Sequence, residues 1–338
     1  MKAVQFVKPH VLQVIDKPLR TLRENEVLVK VEACGICGTD VHIVEGTSRS
    51  TPPVVLGHEY AGVVEEAGSL VHGVQVGQRV AVDPNISCGT CYFCSRGQVH
   101  LCSNLRALGV DIDGGMAQFC IVPQSQIYTL PSEMTPEISA FVEPVSCAIH
   151  GIDLAKIRIG DSIVILGGGT IGLIMLQLTR RAGASRIIVV EQLEHKRALA
   201  TQLGADAVIN PEESDLATEV LDLTRVGADV VIECAGSIQT ARAAIGLARR
   251  GGLVEFFGVC PVHTSFPLVP HEVYFRELTI VGSYVNPHTF ARAIDVLRSG
   301  SVRVDLFQID TFPLDSVHEA LAILREGKTI KSVLLPQA

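Results

Sequence analysis

Short apolar runs separated by glycine, proline and aspartate dominate residues 1 to about 145. Typical runs are "EVLVKVEAC", "EYAGVVEEAG", "GQRVAVDP" and "GGMAQFCIVP", in which apolar and polar positions tend to alternate. Runs of this length with such boundaries are typical of β-strands. This part of the chain is therefore predicted to form a barrel-like β domain.

From about Pro144 onward the hydrophobic pattern changes its period. "VSCAIHGIDLAKI" has helical spacing, and "DSIVILGGGTIGLIMLQLTRRAGASRIIVVEQ" alternates strand, glycine turn, helix and strand. The alternation continues to Tyr284, and its strands are almost wholly apolar, as strands covered by helices on both faces must be. This pattern predicts an α/β fold, a doubly wound parallel sheet built from right-handed βαβ units. Beyond Tyr284 two helical stretches and a strand-like tail, "KTIKSVLLP", follow.

Composition and charge narrow the possible partners. The chain has 338 residues, enough for two domains, and a formal net charge of −8, which argues against a nucleic-acid partner. No apolar stretch reaches the ~18 residues of a membrane span, and the first residues have no signal-peptide architecture. We therefore expect a cytoplasmic protein without a membrane partner. Its ten cysteines are then thiols or metal ligands, and disulfides would be expected only if the protein were exported.

A glycine motif marks a candidate dinucleotide site. Gly167, Gly169 and Gly172 stand in G-x-G-x-x-G register, with Thr170 and Ile171 between the last two, directly after an apolar strand and before a helix. In this context the glycines allow a tight turn, close approach of a pyrophosphate and close helix–strand packing. A glycine-rich turn without a ligand is the alternative interpretation.

An acidic residue at the end of the next strand bears on the choice of cofactor. Glu191 lies 19 residues past Gly172, where a carboxylate accepts hydrogen bonds from the adenosine ribose and repels a 2′-phosphate, so NAD is favoured over NADP. Lys196 and Arg197 follow, and they could bind a phosphate if the loop bent toward it.

The densest cysteine group indicates a metal. Its spacing is C-x2-C-x2-C-x7-C, through Cys88, Cys91, Cys94 and Cys102. Four thiolates on one short loop can close a tetrahedron around zinc with no open position, which is a structural site. An iron–sulfur cluster also uses four cysteines, and a nucleic-acid-binding zinc ribbon is a further alternative that the acidic charge disfavours.

A looser set of possible ligands comprises Cys37, His58, Glu59 and Glu143. Mixed sulfur, nitrogen and oxygen ligands from distant segments, with one position open, describe a catalytic zinc. Taken singly, each of these residues is more often an ordinary buried side chain. The remaining cysteines are interpreted in that ordinary way: Cys34, Cys120, Cys147, Cys234 and Cys260.

Matches along the whole chain resemble the zinc-dependent medium-chain dehydrogenases, which include alcohol, sorbitol and threonine dehydrogenases. They are "GICGTDVH", "GHEYAGVV", the four-cysteine lobe, "EPVSCAIHG", "GGGTIG" and "GKTIKSVL". The resemblance implies a GroES-like β-barrel catalytic domain, residues 1–147 and 284–338, with the structural zinc lobe at about 85–105. The Rossmann NAD-binding domain, residues 148–283, is then inserted between the two parts.

The resemblance also implies roles for individual residues. Cys37 and His58 would bind the catalytic zinc, and Glu59 and Glu143 would bind it directly or through water. Asp40 would orient His58 and raise its basicity. One catalytic and one structural zinc ion per chain are therefore expected.

By the same resemblance, the reaction moves a proton and a hydride. Thr39 would take the proton of a zinc-bound hydroxyl and His42 would pass it on, while the alcohol carbon gives a hydride to NAD. Lys331 would contact the cofactor pyrophosphate, and Val259 would lie beside the nicotinamide.

The substrate and the assembly are less determined. We expect a polyol, sugar alcohol or other secondary alcohol, oxidised to a ketone or aldehyde, with L-threonine as the alternative. A catalytically retired NAD-binding protein is the alternative from a different class. The apolar "ELTIVGSY" strand, at the sheet edge by the resemblance, predicts a homodimer or homotetramer.

Overall fold

The computed structural model describes all 338 residues and divides into two compact units. The first comprises Met1–Ser146, Asn286–Arg298 and Val304–Ala338, and the second comprises Cys147–Val285 and Ser299–Arg303. Residues Ser299–Arg303 thus group with the second unit, whereas the expected division placed them in the catalytic domain.

The first unit is built mainly from strands. Up to the end of its long first segment, its strands and helices are β1 (Lys2–Lys8), β2 (Val11–Asp16), β3 (Glu26–Gly35), α1 (Gly38–Glu45), β4 (Val54–Val55), β5 (Glu59–Ala67), β6 (Arg79–Val82), β7 (Asn85–Ile86), β8 (Arg106–Ala107), β9 (Phe119–Pro123), β10 (Ile127–Thr129), α2 (Pro136–Ser139) and α3 (Val142–Ala155). Helix α3 begins in this unit and ends in the second one.

The second unit alternates strands and helices. Its further elements are β11 (Ser162–Leu166), α4 (Thr170–Ala182), β12 (Arg186–Val190), α5 (Glu194–Gln202), β13 (Ala207–Ile209), α6 (Leu216–Thr224), β14 (Ala228–Glu233), α7 (Ile238–Leu247), β15 (Ala248–Phe256), α8 (Pro270–Phe275) and β16 (Thr279–Gly282). The chain then completes the first unit with α9 (Phe290–Arg298), β17 (Ile309–Phe312), α10 (Val317–Arg325) and β18 (Lys331–Leu334).

Strand β3 organises the first unit. The main sheet has the order β10-β6-β5-β3-β18-β17, and β9 also pairs with β3. Along β3 the side chains of Val27, Val29 and Val31 are fully buried, while the residues between them are partly exposed. This period of two turns one face of the strand into the core. Because β5 and β18 pair with β3, both bring their residues to the end of β3 where α1 begins.

The second unit has one parallel sheet of order β13-β12-β11-β14-β15-β16. The residues of β11 from Ile163 to Leu166 are all fully buried, which explains their continuous apolar run. From β11 the chain builds outward through β12 and β13, and then returns to the other side of β11 with β14. The strand order reverses there, and in such sheets ligands bind beyond the carboxyl ends of the strands at this point. The Rossmann-type sheet predicted from the sequence is confirmed.

One helical stretch, Pro136–Ala155, is long and apolar enough to cross a bilayer on length and composition alone. Within the protein, 67% of its most apolar window is buried. A core helix of a globular domain has this character.

Candidate active site

The pairing of β3 with β5 assembles a group of metal ligands in the first unit. Cys37 follows the end of β3, and Glu59, the first residue of β5, is the register partner of Gly35. The ligand atoms of Cys37, His58 and Glu59 all lie within 4.8 Å of one another. A thiol, an imidazole and a carboxylate form a donor set that suits zinc, so the residues fit a catalytic zinc ion.

Asp40 links two of these ligands from helix α1. Its Oδ2 accepts a hydrogen bond of 2.9 Å from the backbone N–H of Cys37, the residue that caps the helix. Its Oδ1 lies 3.4 Å from Nδ1 of His58, and Asp40 is completely buried. Asp40 therefore faces Nδ1 of His58, and Nε2 is the nitrogen that would bind a metal. The resemblance implied this orienting role for Asp40.

The pKa of His58 depends on the nearby carboxylate of Asp40. Burial by itself lowers the pKa of the imidazole, but the negative charges of Asp40 and Cys37 outweigh burial and raise the pKa well above its ordinary value. The site is therefore strongly favourable to positive charge. A bound dication would take the place of the proton and satisfy the same acceptors.

Glu59 has a second partner, which sequence reasoning missed. The ammonium group of Lys331, on β18, forms a buried ion pair with Glu59 Oε2, and both side chains are almost inaccessible. Burial lowers the pKa of Lys331, but the charges of Glu59, Cys37 and Glu143 and the hydrogen bond to Glu59 together outweigh burial, so the pKa is raised. The resemblance implied a contact between Lys331 and the cofactor pyrophosphate, which stays a prediction. The structure shows the ion pair with Glu59, which forms because β18 pairs with β3 beside Gly35.

Gly35 makes room for this pair. A Cβ at position 35 would lie 2.5 Å from Glu59 Oε2 and 2.8 Å from Lys331 Cε. No side chain fits there without moving the pair. The sequence signal was a glycine at the end of an otherwise continuous strand, which often marks a close approach.

Glu143 lies in the first turn of α3 and is buried, with 8% of its surface exposed. It is not a member of the group formed by Cys37, His58 and Glu59. Its charge nevertheless contributes to the raised pKa of Lys331, which places it near the same ion pair.

Thr39 and His42 both lie on helix α1, immediately after Cys37. Their spacing of three residues puts them on one face of the helix. His42 is half-buried, and its Nδ1 lies 3.3 Å from the hydroxyl of Thr47, a partner that the sequence did not reveal.

The second metal group lies in the lobe between β7 and β8. The four sulfur atoms of Cys88, Cys91, Cys94 and Cys102 lie within 4.8 Å of one another. Backbone N–H groups point at them, including those of Cys88 and Asn104, which lie 3.3 Å from Cys102 Sγ. Backbone hydrogen bonds, led by the one from Cys94, lower the pKa of the Cys91 thiol to about 6. The cluster therefore fits the structural zinc expected from the spacing.

The glycine motif of the second unit has the form a pyrophosphate requires. Gly167 has φ +105°, and a Cβ on Gly172 would lie 1.8 Å from the carbonyl oxygen of Gly167. By contrast, a Cβ on Gly169 would meet nothing within 4 Å, so the space above the start of α4 is open. Thr170 and Ile171 form the first turn of that helix. A dinucleotide phosphate fits this open helix N-terminus.

Glu191 is anchored to the same loop. Its Oε2 accepts a hydrogen bond of 2.8 Å from the N–H of Gly168, and its Oε1 accepts one of 2.9 Å from Leu193. Arg197 donates to the Glu191 carbonyl oxygen at 3.0 Å, and Lys196 lies beside it on α5. Val259, which the resemblance placed beside the nicotinamide, is 60% exposed in the loop after β15.

Family models match both parts of the chain. The alcohol dehydrogenase GroES-like domain matches residues 23–132, and the zinc-binding dehydrogenase domain matches residues 170–299. The chain belongs to the zinc-dependent medium-chain dehydrogenase family. It is accordingly a zinc-dependent oxidoreductase that uses a nicotinamide dinucleotide, and the predicted GroES-like and Rossmann folds are confirmed.

Relatives in this dehydrogenase family cover the whole chain. It is 35% identical to L-threonine 3-dehydrogenase of Pyrococcus furiosus, over 99% of this chain and 98% of the relative. It is 32% identical to D-arabinitol dehydrogenase 1 of Uromyces fabae, over 99% and 97%. Among solved structures it resembles a protein of Sinorhizobium meliloti 1021 described as a zinc-binding dehydrogenase and bound to NADP, with a TM-score of 0.95, 40% identity and 99% of each chain covered.

Proposed function

We propose that this dehydrogenase oxidises a polyol, sugar alcohol or other uncharged secondary alcohol, with NAD as its preferred cofactor. The product is the corresponding ketone or aldehyde. The proposal rests on the ligand group of Cys37, His58 and Glu59 and on the buried ion pair that neutralises Lys331 beside it.

The metal site provides the acidity that the reaction needs. Cys37 and His58, together with Glu59 or Glu143, would hold the zinc ion, whose Lewis acidity would lower the pKa of a substrate hydroxyl. Asp40 keeps the imidazole oriented through its buried carboxylate. Lys331 holds Glu59 by an ion pair, so the carboxylate has two alternative partners, the ammonium and the metal.

Removal of the substrate proton falls to helix α1. The Thr39 hydroxyl would accept the substrate proton while it releases its own, and His42, whose Nδ1 lies 3.3 Å from the Thr47 hydroxyl, would pass that proton toward solvent. His42 is only half-buried, which suits a group that delivers a proton to water. The carbon of the alcohol loses its hydride to the oxidised nicotinamide ring, which is the chemistry of the cofactor.

The preference for NAD rests on Glu191. Its carboxylate carries negative charge next to the N–H of Gly168. A 2′-phosphate on the adenosine ribose would meet that charge, while the two hydroxyls of NAD would donate to it.

The preference for an uncharged substrate rests on two cations of the first unit that already have carboxylate partners. An amino-acid substrate carries a carboxylate that needs a free cation. Arg49, just beyond the turn that hydrogen-bonds His42, pairs with Asp111 at 2.9 Å, and Lys331 pairs with Glu59. Hydroxyl groups of a polyol need no such partner.

L-threonine remains the second candidate substrate. It is supported by the identity of 35% with the Pyrococcus furiosus enzyme, compared with 32% for the arabinitol dehydrogenase.

A substrate screen tests the proposal. The zinc-loaded enzyme is assayed for NADH formation with sorbitol, arabinitol, butane-2,3-diol and L-threonine, and the ratio kcat/KM ranks them. The proposal expects at least one of the neutral alcohols to exceed L-threonine. A higher value for L-threonine would overturn the substrate assignment, and no turnover of any alcohol would overturn the reaction itself.

For assembly and location, we infer a cytoplasmic homodimer or homotetramer that binds neither nucleic acid nor membranes. Strand β16 has a neighbour on one side only, and Tyr274 and Tyr284 on either side of it are 81% and 53% exposed. A second copy pairing there would cover this edge. All ten cysteines are free thiols, in keeping with a reducing compartment. Light scattering of the purified enzyme tests the oligomeric state.

A further inference from the structure

A cavity of about 240 Å³ opens in the second unit, between α6, the end of α7 and the beginning of β15. Its lining includes Val226 and Gly227, which precede β14, and Ala248, which begins β15. The sheet is parallel, so this is the edge opposite to the glycine motif, which follows the carboxyl end of β11. The proposed dehydrogenase function makes no use of this cavity.

One wall of the cavity is apolar. It is formed mainly by Val220 and Leu221 of α6, by Val226, and by Leu247 at the end of α7. Leu221 and Val226 remain 48% and 64% exposed. A ligand with an apolar body would remove this surface from water.

The other wall carries two arginines, Arg250 and Arg276. Arg276 is fixed, because its guanidinium donates at 3.0 Å to the carbonyl oxygen of Ile245 and also to that of Ala248. The guanidinium of Arg250 stacks over the ring of Phe275 at 4.9 Å from the centroid and is exposed to solvent.

Neither arginine forms an ion pair with a carboxylate of the chain. The neighbouring Arg249, in contrast, pairs with Asp229 at 2.5 Å. Two guanidinium groups without a carboxylate partner therefore lie at one apolar cavity. A planar guanidinium binds a carboxylate through two parallel hydrogen bonds.

We propose that this cavity binds a small organic carboxylate with a short apolar chain. The carboxylate accepts hydrogen bonds from Arg250, and its chain lies against Val220, Leu221 and Val226. The cavity has space for about eight water molecules, which suits an anion of the size of hexanoate. Inorganic phosphate would pair with the guanidinium of Arg250, but it would leave the apolar wall exposed to water.

Calorimetric titration of the full-length, zinc-loaded enzyme with sodium hexanoate tests the charge requirement. Saturable binding is expected, with Arg250→Gln weakening it by about tenfold or more, because a hydrogen bond to a charged group is lost. The matched control is Arg181→Gln, which removes an exposed arginine of α4 outside the cavity and should leave binding unchanged. Inorganic phosphate should bind much more weakly than hexanoate.

A second variant tests the location without removing a charge. Gly246 lines the cavity from helix α7, and a Cβ there would meet nothing within 4 Å. Gly246→Leu should therefore fold normally, with an unchanged urea midpoint, and lose hexanoate binding because the leucine occupies the cavity. Absence of saturable hexanoate binding below ~10 mM in the natural protein, or binding that survives both Arg250→Gln and Gly246→Leu, would overturn the proposal. The second outcome would place the carboxylate elsewhere, for instance on the metal.

Discussion

The carboxylate of Asp40 lies 3.4 Å from the imidazole Nδ1 of His58, although Asp40 belongs to helix α1 and His58 directly precedes strand β5. Both are buried, and the same carboxylate accepts the backbone N–H of Cys37. One side chain therefore contacts two of the candidate metal ligands, Cys37 and His58.

Asp40→Asn tests this positioning role. The amide keeps the shape of the side chain but loses the charge that supports His58 as a ligand. We expect zinc affinity and kcat/KM to fall by about 10- to 100-fold. Competition with a chromogenic chelator measures the first quantity and NADH formation the second. Unchanged zinc affinity would show that the 3.4 Å contact contributes nothing to the site.

Gly35→Ala tests the space occupied by the Glu59–Lys331 pair. The new Cβ would lie 2.5 Å from the Glu59 carboxylate, so the pair must move. We expect a loss of ~1–3 kcal/mol in the free energy of unfolding, measured by urea denaturation. Gly38→Ala is the control, because a Cβ at that position meets nothing within 4 Å. Equal stability of the two variants would contradict the close approach.

Cys91→Ser tests the structural role of the four-cysteine lobe. Loss of one thiolate should release one zinc ion per chain and lower the unfolding midpoint, because metal binding contributes folding free energy. Zinc content by mass spectrometry and urea denaturation provide the measurements. Cys260→Ser, a free thiol outside both ligand groups, is the control. A variant that keeps both its zinc and its stability would disprove this role.

Glu191→Gln tests the choice of cofactor. The neutral amide no longer repels a 2′-phosphate, so the ratio of kcat/KM for NAD to that for NADP should fall by about tenfold, or ~1.4 kcal/mol. Glu194→Gln, on the exposed beginning of α5, is the matched control. An unchanged ratio would remove Glu191 from cofactor selection.

Glu255 predicts a pH dependence of stability. It is fully buried on β15, neither carboxylate oxygen has a hydrogen-bond partner, and burial raises its pKa to about 8. Between the ordinary carboxyl pKa and about 8, the folded state holds a proton that the unfolded state has lost. The contribution of Glu255 to the free energy of unfolding therefore falls as pH rises through that window, by up to ~1.4 kcal/mol per pH unit.

Glu255→Gln should remove this slope. The difference in unfolding free energy between a mildly acidic and a mildly alkaline buffer should shrink in the variant and persist in the exposed control Glu212→Gln. Equal slopes in the two variants would contradict a protonated carboxyl at position 255.

Features encoded by neighbours in the chain could be predicted without a structure. The glycine motif, the strand and helix around it, and the four cysteines of the zinc lobe each lie within one short segment, so their spacing alone constrains their geometry. Period-two burial along β3 and continuous burial along β11 likewise follow from local patterns. The resemblance identified Cys37 and His58 as candidate zinc ligands. Spacing along the chain alone could not pair them.

Other features depended on contacts between distant segments. Lys331 meets Glu59, which stands 272 positions earlier, only because β18 and β5 flank β3 in one sheet. The cavity beside Arg250 exists because α6, α7 and the return to β15 leave a gap above apolar side chains. The sequence by itself determined which chemical groups are present and how each short segment folds. The tertiary structure decided which of those groups meet, because pairing register and helix packing are properties of the assembled core.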